Sequence, residues 1–432
     1  MALTTLFVDL NSYFATAEQQ LNPRLRGRPI GVVPVEAEST CCIAASIEAK
    51  RYGVKTGTLV REARRLCPEI VFIRARHRLY VEMHHAIVKA VESCVPVSGV
   101  YSIDEMACRL LGSERQRENA VALAVRIKAA IQEQAGEWLR CSVWIAPNVL
   151  LAKTATDMEK PDGLVVIDRE DLPRAIAGLG LRDFPGIGAQ MHKRLEAAGI
   201  RTALELYAQP KKRLREIWGS VVGEWWWHGL HGDELAARPV RTRSMGHEHV
   251  LPPKFRTEEG SWAMAVRLLC KAGARMRASG YRARALMVSV RSEEGEKWKA
   301  GVLLGDGCAD TLEMIGAMER IWRDRPRPRP PQARWTPMKV GVVLSELVAS
   351  GQGSLSLFVE ENRRDALSKA VDALNQRHGA HTVFVASMMD VREEATGGIA
   401  FGNVPDLGLA DSVGQGKGRE RPASDRVRQI IC

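Results

Sequence analysis

Two adjacent carboxylates, Asp104 and Glu105, lie in the run GVYSIDEM at positions 99–106, and a third, Asp9, stands in the apolar run LFVDL at 6–10. Three acids on or near neighbouring strands can hold a pair of Mg²⁺ ions about 3.5–4 Å apart, the machinery of in-line phosphoryl and nucleotidyl transfer. Adjacent acids repel and are costly to bury, so a trio of this kind requires cations or strong hydrogen-bond donors nearby. Taken alone, an Asp-Glu pair is more often a solvated strand end. The elements around it decide between the two readings.

Residues 3–9 read as a buried strand and Asn11–Leu21 as a helix beginning just after it. A basic turn at 22–29 leads to a second strand at 30–34. A helix closed by Gly53, another over 59–66 and a strand at 71–73 follow. Helical spacing covers 80–94, Gly99–Leu111 is strand-like around the acid pair, 120–135 is helical, and 140–145 is a strand. Pro147 opens a further helix at the first-turn position that proline tolerates. Strands alternating with helices over the first 165 residues predict an α/β or α+β catalytic domain.

Residues 172–235 read as helical and contain Phe184-Pro-Gly-Ile-Gly188 before the helix 191–198. A Gly-apolar-Gly turn between short helices lets the backbone of Gly186, Ile187 and Gly188 approach a phosphate closely. Trp218 and Trp225–Trp227 read as packing within this helical segment. From 245 to 347 strands and helices resume. Arg267, Lys271 and Arg275 form a positive stripe at helical spacing opposite Trp262, Val266, Leu269 and Met276. Arg282, Arg284 and Arg291 flank a strand whose Leu286, Val288 and Val290 alternate inward. Residues 323–331 read as an extended basic loop, and the tail from about 397 as disordered.

The chain of 432 residues is too long for one core, which predicts several domains. Its 45% hydrophobic and 26% charged content is that of a globular protein, and no apolar run approaches a bilayer-spanning length. The N-terminus shows no basic leader. The nine cysteines form no CxxC pair, which points to a reducing, cytoplasmic setting. Net charge is +11, and residues 238–346 carry 21 Lys and Arg against 12 Asp and Glu. A surplus concentrated in one segment predicts a polyanion-binding surface, and the lack of a spanning apolar run predicts no membrane partner.

Five motifs then fall into a known order: Val8-Asp-Leu-Asn-Ser-Tyr-Phe-Ala15, Ile47-Glu-Ala-Lys-Arg-Tyr-Gly-Val-Lys55, Tyr101-Ser-Ile-Asp-Glu105, Met158-Glu-Lys-Pro-Asp-Gly163 and Phe184-Pro-Gly-Ile-Gly188. Over about residues 3–358 the chain resembles the Y-family translesion DNA polymerases, in particular the UmuC/DinB group. Leu230-His-Gly-Asp-Glu234 and Arg243-Ser-Met-Gly-His-Glu248 are similar to that family's junction into its little-finger domain. The resemblance implies an α+β multidomain right-hand polymerase. Its parts are a ferredoxin-like palm at 1–165 with small fingers inserted at about 23–78, a helical helix-hairpin-helix thumb at 166–236 and an α/β little finger at 237–350. A clamp-binding peptide and C-terminal extension at 351–395 and a tail at 396–432 complete the chain.

The same resemblance implies template-directed, low-fidelity DNA synthesis past damaged bases, with the associated DNA repair, SOS response and mutagenesis. Asp9, Asp104, Glu105 and the Leu10 carbonyl are the implied ligands of two Mg²⁺ ions, with Mn²⁺ able to substitute. Backbone amides over Asn11–Phe14 are expected to cradle the phosphates of a dNTP. Ser12, Tyr13, Phe14, Lys50 and Lys160 are expected at the nucleotide, with Phe14 as the aromatic gate that excludes a ribose 2′-hydroxyl. Gly186, Ile187, Gly188, Arg243, Arg267, Lys271, Arg275, Arg282 and Arg284 are expected on primer-template DNA. Leu355, Leu357 and Phe358, in Ser354-Leu-Ser-Leu-Phe358, resemble the short peptide that binds a sliding clamp. A UmuD-type protein or a recombinase filament is a further implied partner. The chain departs from the family in its fingers motif, where Ile47 and Lys50 replace the usual Tyr and Arg. Lys keeps the charge but loses the bidentate fork. A catalytically weak DNA- and clamp-binding adaptor of the same fold is the alternative, and a metal-dependent RNA-binding or nuclease module a third. Retention of all three acids argues for the polymerase.

Overall fold

The computed structural model describes residues 3–155, 158–235, 243–325, 335–350 and 359–394, and it is α+β with three separate sheets. The chain opens with β1 (Thr5–Leu10), whose near-continuous apolar side chains suit a strand buried on both faces, and then α1 (Tyr13–Leu21). Next come β2 (Ile30–Val33), β3 (Ala44–Ala45), α2 (Ile47–Arg51), α3 (Val60–Leu66) and β4 (Val71–Arg74). These strands form a small sheet in the order β3-β2-β4 with its own apolar cluster, which includes Val33, Cys42, Ala49, Val54 and Ile70. The unit docks on α1 through Gln19, whose amide donates to Glu48 (3.1 Å) and to the carbonyls of Leu25 and Arg28.

The chain then returns through α4 (His77–Glu92), β5 (Val97–Val100), β6 (Glu105–Arg109), α5 (Arg117–Gln134), β7 (Cys141–Ala146), α6 (Val149–Thr154) and β8 (Leu164–Val166). The five-stranded sheet runs β5-β6-β1-β7-β8, with β1 central and antiparallel to both neighbours. The apolar faces of α4 and α5 cover one side, where Ile87, Val91, Leu123, Ile127 and Ile131 meet Leu6, Val8, Met106 and Val143. Two local expectations change. Residues 99–111 are not one strand: they form the β5–β6 hairpin, whose turn at 101–104 leaves Asp104 at its end and Glu105 as the first residue of β6. Asn148, not Pro147, starts α6, its side chain accepting from the Leu151 amide at 3.0 Å.

Short helices follow: α7 (Ala189–Ala197), α8 (Ala203–Tyr207), α9 (Lys211–Trp218) and α10 (Val222–Leu230). They pack on the face of the central sheet opposite α4 and α5, with Trp226 buried between them and Phe7 and Trp144 contributed by the sheet. His231 is stacked between Tyr207 and Trp227, 4.2 Å from each ring. The tryptophans expected to pack this segment do so.

The last unit comprises β9 (Ser244–Val250), α11 (Glu258–Ala278), β10 (Tyr281–Ser292), β11 (Lys297–Cys308), α12 (Thr311–Arg323), β12 (Pro337–Ala349) and α13 (Val359–His378). Its sheet runs β11-β10-β12-β9, and α11 and α12 bury Leu286, Val288, Val290, Val340, Val342 and Leu344 on one face. The segment after α13 returns to this core through Met388 and Val391. Glu394 ends it in ion pairs with Lys254 (2.7 Å) and with Arg74 of β4 (3.7 Å). The 354–358 peptide with Leu355, Leu357 and Phe358, most of the 323–331 loop and the 396–432 tail lie outside the described residues. Among the described residues no helix is long and apolar enough to cross a membrane.

Candidate active site

The acids meet at the end of β1. Asp9 is the register partner of Glu105 on β6 and of Ser142 on β7, and the Leu10 amide donates to the Asp104 carbonyl at 2.9 Å. Residues directly opposite on antiparallel strands project to the same face, so the pairing sets Asp9 and Glu105 side by side with Asp104 adjoining. Asp9 is 8% exposed. Burial pushes its carboxyl up to about 7; Lys160 pulls it down, and the charges of Asp104 and Glu105 add to the rise. Burial likewise raises Asp104, against the Ser102 hydroxyl and with the help of Glu105.

Each acid is held by a different donor. Lys160 Nζ lies 3.0 Å from Asp9 Oδ2, Lys153 Nζ lies 2.7 Å from Glu105 Oε2, and the Ser102 hydroxyl donates to Asp104. In this arrangement no three His, Cys, Asp or Glu side chains among the described residues converge as a ready-made metal cage. The chemistry of the donor set nevertheless fits hard divalent cations, because three carboxylates crowd a site where burial and mutual repulsion disfavour charge. Lys153 and Lys160 partly answer that repulsion with positive charge of their own.

The stability consequence has a definite sign. Folded Asp9 keeps its proton up to about pH 7, whereas an unfolded aspartate loses it near 3.8. The folded state therefore binds more protons between those values, and stability falls as pH rises through the window. Asp9→Asn is expected to stabilise the metal-free chain at pH 8 by roughly 2–4 kcal/mol and to flatten its pH dependence. Thermal unfolding in EDTA from pH 4 to 8 measures this. Added Mg²⁺ should then raise the unfolding temperature of the parent chain well above any rise in the variant. Equal responses would remove Asp9 from the ligand set.

Beside the acids, Ser12 caps α1 in the left-handed region (φ 53°), and its buried hydroxyl has no partner. The amides of Ser12, Tyr13 and Phe14 precede the first bond of the helix, from the Ala15 amide to the Ser12 carbonyl at 2.8 Å, and with the helix dipole they favour an anion. The Asn11 amide, expected among the phosphate donors, is instead bonded to the Arg140 carbonyl at 2.8 Å. Tyr13 is buried and donates to the Tyr80 carbonyl (2.6 Å). Phe14 stacks on Tyr80 at 4.5 Å with 15° between the ring planes. Lys50 is exposed near the end of α2.

The expected DNA contacts need correction at several positions. Arg267 is only 3% exposed and donates to the Arg392 carbonyl at 2.8 Å. Lys271 and Arg275 face β9, where burial and then these two cations push His247 down to about 3. Burial, followed by the neighbouring Arg267 and Arg275, lowers Lys271 to about 8. The stripe thus lines a packed seam between α11, β9, His77 at the start of α4 and the C-terminal segment. Arg282 pairs with Asp365 of α13 at 2.6 Å and with the Gly307 carbonyl. Ile187 is buried and its amide bonds to the Phe184 carbonyl at 3.0 Å, so neither part of it faces outward. Gly186 (φ 100°), Gly188 at the start of α7, and the exposed Arg243 and Arg284 stay available.

A cationic surface, of which the sequence reading named only Arg291 and the basic surplus of its segment, lies on the face of the last sheet turned away from α11 and α12. Arg291 on β10 is opposite Lys297 on β11 and Lys339 on β12, one row of three cations across three strands. The next row is Lys299, Ser289, Gly341 and Glu248. Like charges directly opposite cost stability. Lys339 is ion-paired with Glu248 of that next row, while Arg291, Lys297 and Lys299 beside Ser289 and Gly341 fit a polyanion laid along the sheet. The strict alternation of Lys297 and Lys299 with Trp298 and Ala300 is the signal that marks this face.

The fold is that of a multidomain right-hand polymerase. Residues 8–157 match the impB/mucB/samB family, and residues 242–357 match that family's C-terminal domain. The chain is 35% identical over 387 residues to DNA polymerase IV of Moorella thermoacetica, covering 88% of this chain and 94% of that one. It is 32% identical over 397 residues to DNA polymerase IV of Pelotomaculum thermopropionicum, covering 89% and 95%. A solved Dbh–Dpo4 chimera of the Y-family DNA polymerases superposes with a TM-score of 0.66 at 23% identity, over 80% of this chain and 99% of the chimera. The chain therefore belongs to the Y-family translesion DNA polymerases, which are DNA-directed DNA polymerases.

Proposed function

We propose that the chain performs template-directed, low-fidelity synthesis past damaged bases by two-metal nucleotidyl transfer. The supporting observation is the mutually repelling trio of buried Asp9 and half-buried Asp104 and Glu105, gathered beside the open first turn of α1. Asp9, Asp104, Glu105 and the Leu10 carbonyl hold Mg²⁺, and Mn²⁺ suits the same oxygen donors. Bound there, the divalent ions supply the charge that lowers the pKa of a primer 3′-hydroxyl and steadies a departing pyrophosphate.

The chain's own groups do the rest. Amides of Ser12, Tyr13 and Phe14 receive triphosphate oxygens, and the Ser12 hydroxyl gains the partner it lacks. Lys160, whose amine lies 3.0 Å from Asp9, would be the cation that binds the triphosphate. Lys50 adds a point charge where relatives carry a guanidinium, and the loss of a bidentate clamp loosens selection of the incoming nucleotide. The five-stranded sheet is the palm, within residues 1–165. The small sheet is the fingers, the α7–α10 segment the thumb at 166–236, and the β9–β12 sheet the little finger at 237–350. Duplex phosphates run along Arg291, Lys297 and Lys299, with Gly186 and Gly188 of the thumb and Arg243 and Arg284 at the margins. Such contacts are sequence-independent and salt-sensitive, as a lesion-tolerant enzyme requires. The 354–358 peptide presents Leu355, Leu357 and Phe358 to a sliding clamp.

Primer extension with Mg²⁺, on one undamaged and one lesion-bearing template, tests the proposal. Extension through the lesion is expected, and synthesis that halts there while copying the undamaged template would refute the bypass role. In the same assay with clamp added, replacing Leu357 and Phe358 by Ala should leave distributive synthesis intact and abolish stimulation. An undiminished clamp response would rule out that peptide.

A further inference from the structure

We infer that Asn11 and Ser142 are positioning residues for Lys160, a role that rests on the triphosphate contact proposed for that lysine. Lys160 belongs to a turn, 159–163, that precedes β8 and has no regular secondary structure of its own. Two buried polar side chains of the central sheet hold it. Asn11 follows β1, two residues after Asp9, and Ser142 is Asp9's register partner on β7. The Asn11 amide group donates to Ser142 Oγ at 3.1 Å, while its carbonyl oxygen accepts the Asp162 amide at 2.7 Å. Ser142 Oγ accepts the Gly163 amide at 3.1 Å and also lies 3.4 Å from the Glu159 carbonyl. The turn is therefore fastened to β7 and to the residue that follows β1, the strand of Asp9.

The turn leaves little freedom. Asp162 sits at φ 61°, a conformation costly for a side-chain-bearing residue unless its surroundings impose it. A Cβ on Gly163 would lie 2.0 Å from the Glu159 carbonyl oxygen, so only glycine closes the loop. From outside, Lys128 Nζ bonds to the Asp162 carbonyl (2.6 Å) and pairs with its carboxylate (2.8 Å). Fixing the Lys160 backbone matters because a lysine stem is long and flexible. With its base held, Lys160 Nζ reaches Asp9 across the face of Trp144, 5.4 Å from the ring centre. The side-chain hydrogen bonds of Asn11 and Ser142 go to each other and to the turn. Their contribution passes through the amine they aim.

Single-nucleotide incorporation by the full chain, resolved into apparent dNTP affinity and maximal rate, tests this. Asn11→Ala is expected to weaken apparent dNTP affinity about five- to tenfold while changing the maximal rate less than about threefold. On a Lys160→Ala background the same replacement should change affinity by less than about twofold, because the two act as a unit. Ser142→Ala should behave alike. Lys128→Ala, which touches the turn only from outside, should shift affinity in the same direction by less and tests the idea even if the buried variants unfold. Equal cost of Asn11→Ala on both backgrounds would overturn the inference, as would unchanged affinity in Asn11→Ala or, if the buried variants unfold, in Lys128→Ala beside a weakened Lys160→Ala. No effect of Lys160→Ala itself would instead overturn the triphosphate assignment, and this inference with it.

Discussion

Replacing Asp104 by alanine is expected to lower primer extension at least about 10³-fold while duplex affinity stays within about twofold of the parent. Two separations justify the contrast. The carboxylate lies at the end of the β5–β6 hairpin against β1, inside the five-stranded sheet unit. The cations Arg291, Lys297 and Lys299 lie on another sheet entirely. Folding should survive the change, because the replacement removes a charge that burial and Glu105 disfavour, while its backbone carbonyl still accepts the Leu10 amide. The substitution leaves the Ser102 hydroxyl without its acceptor, a minor cost at a partly open site. Rapid-quench extension and a binding isotherm at one fixed salt concentration measure both halves. Extension above a tenth of the parent rate would take Asp104 out of the catalytic set.

How much of this was legible in the residues differs by element. Asp9 stands out because an acid in a run otherwise fit for a doubly buried strand has to be explained. The motif order around it carried the fold. The break of 99–111 into a hairpin was hidden, since Val97–Val100 and Glu105–Arg109 both have strand-forming character, and the turn between them bears Ser102 and Asp104, which fit either reading. Periodicity placed Arg267, Lys271 and Arg275 on one side of a helix correctly, but it cannot say what covers that side. Here β9 and a C-terminal segment distant in sequence do so, which turns an apparent surface stripe into a seam. The cations that do face outward sit on strands, where period-two spacing interleaves them with Trp298 and Ala300 and dilutes the signal. Gly186 was read rightly for its backbone freedom, whereas the fate of the Ile187 amide depended on a local bond to Phe184 that spacing does not specify. Asn11 and Ser142 gave no signal in the chain, because their role appears only when β1, β7 and the 159–163 turn come together.

Replacing Phe14 by alanine is expected to cut discrimination against ribonucleotides about 100-fold, measured as the ratio of kcat/KM for a dNTP and its ribonucleotide. The proposed gate would work by refusing to move, and the packing behind Phe14 supplies the refusal. Its ring lies flat on Tyr80 at 4.5 Å. The Tyr80 hydroxyl donates to the buried Glu18 carboxylate at 2.7 Å, and Arg76 pairs with the same carboxylate. Tyr13 closes the other side by donating to the Tyr80 carbonyl. A 2′-hydroxyl meeting this ring cannot push it aside without disturbing a buried ion pair. Phe14 is 4% exposed, so truncation also opens a cavity costing about 3–5 kcal/mol, and the assay belongs well below the variant's unfolding temperature. Phe14→Leu provides the second measurement: it keeps most of the packed volume, loses the flat stack, and should relax sugar selection to an intermediate degree. A graded loss from Phe to Leu to Ala follows from a steric wall. Unchanged selectivity in both folded variants would place the gate at another residue.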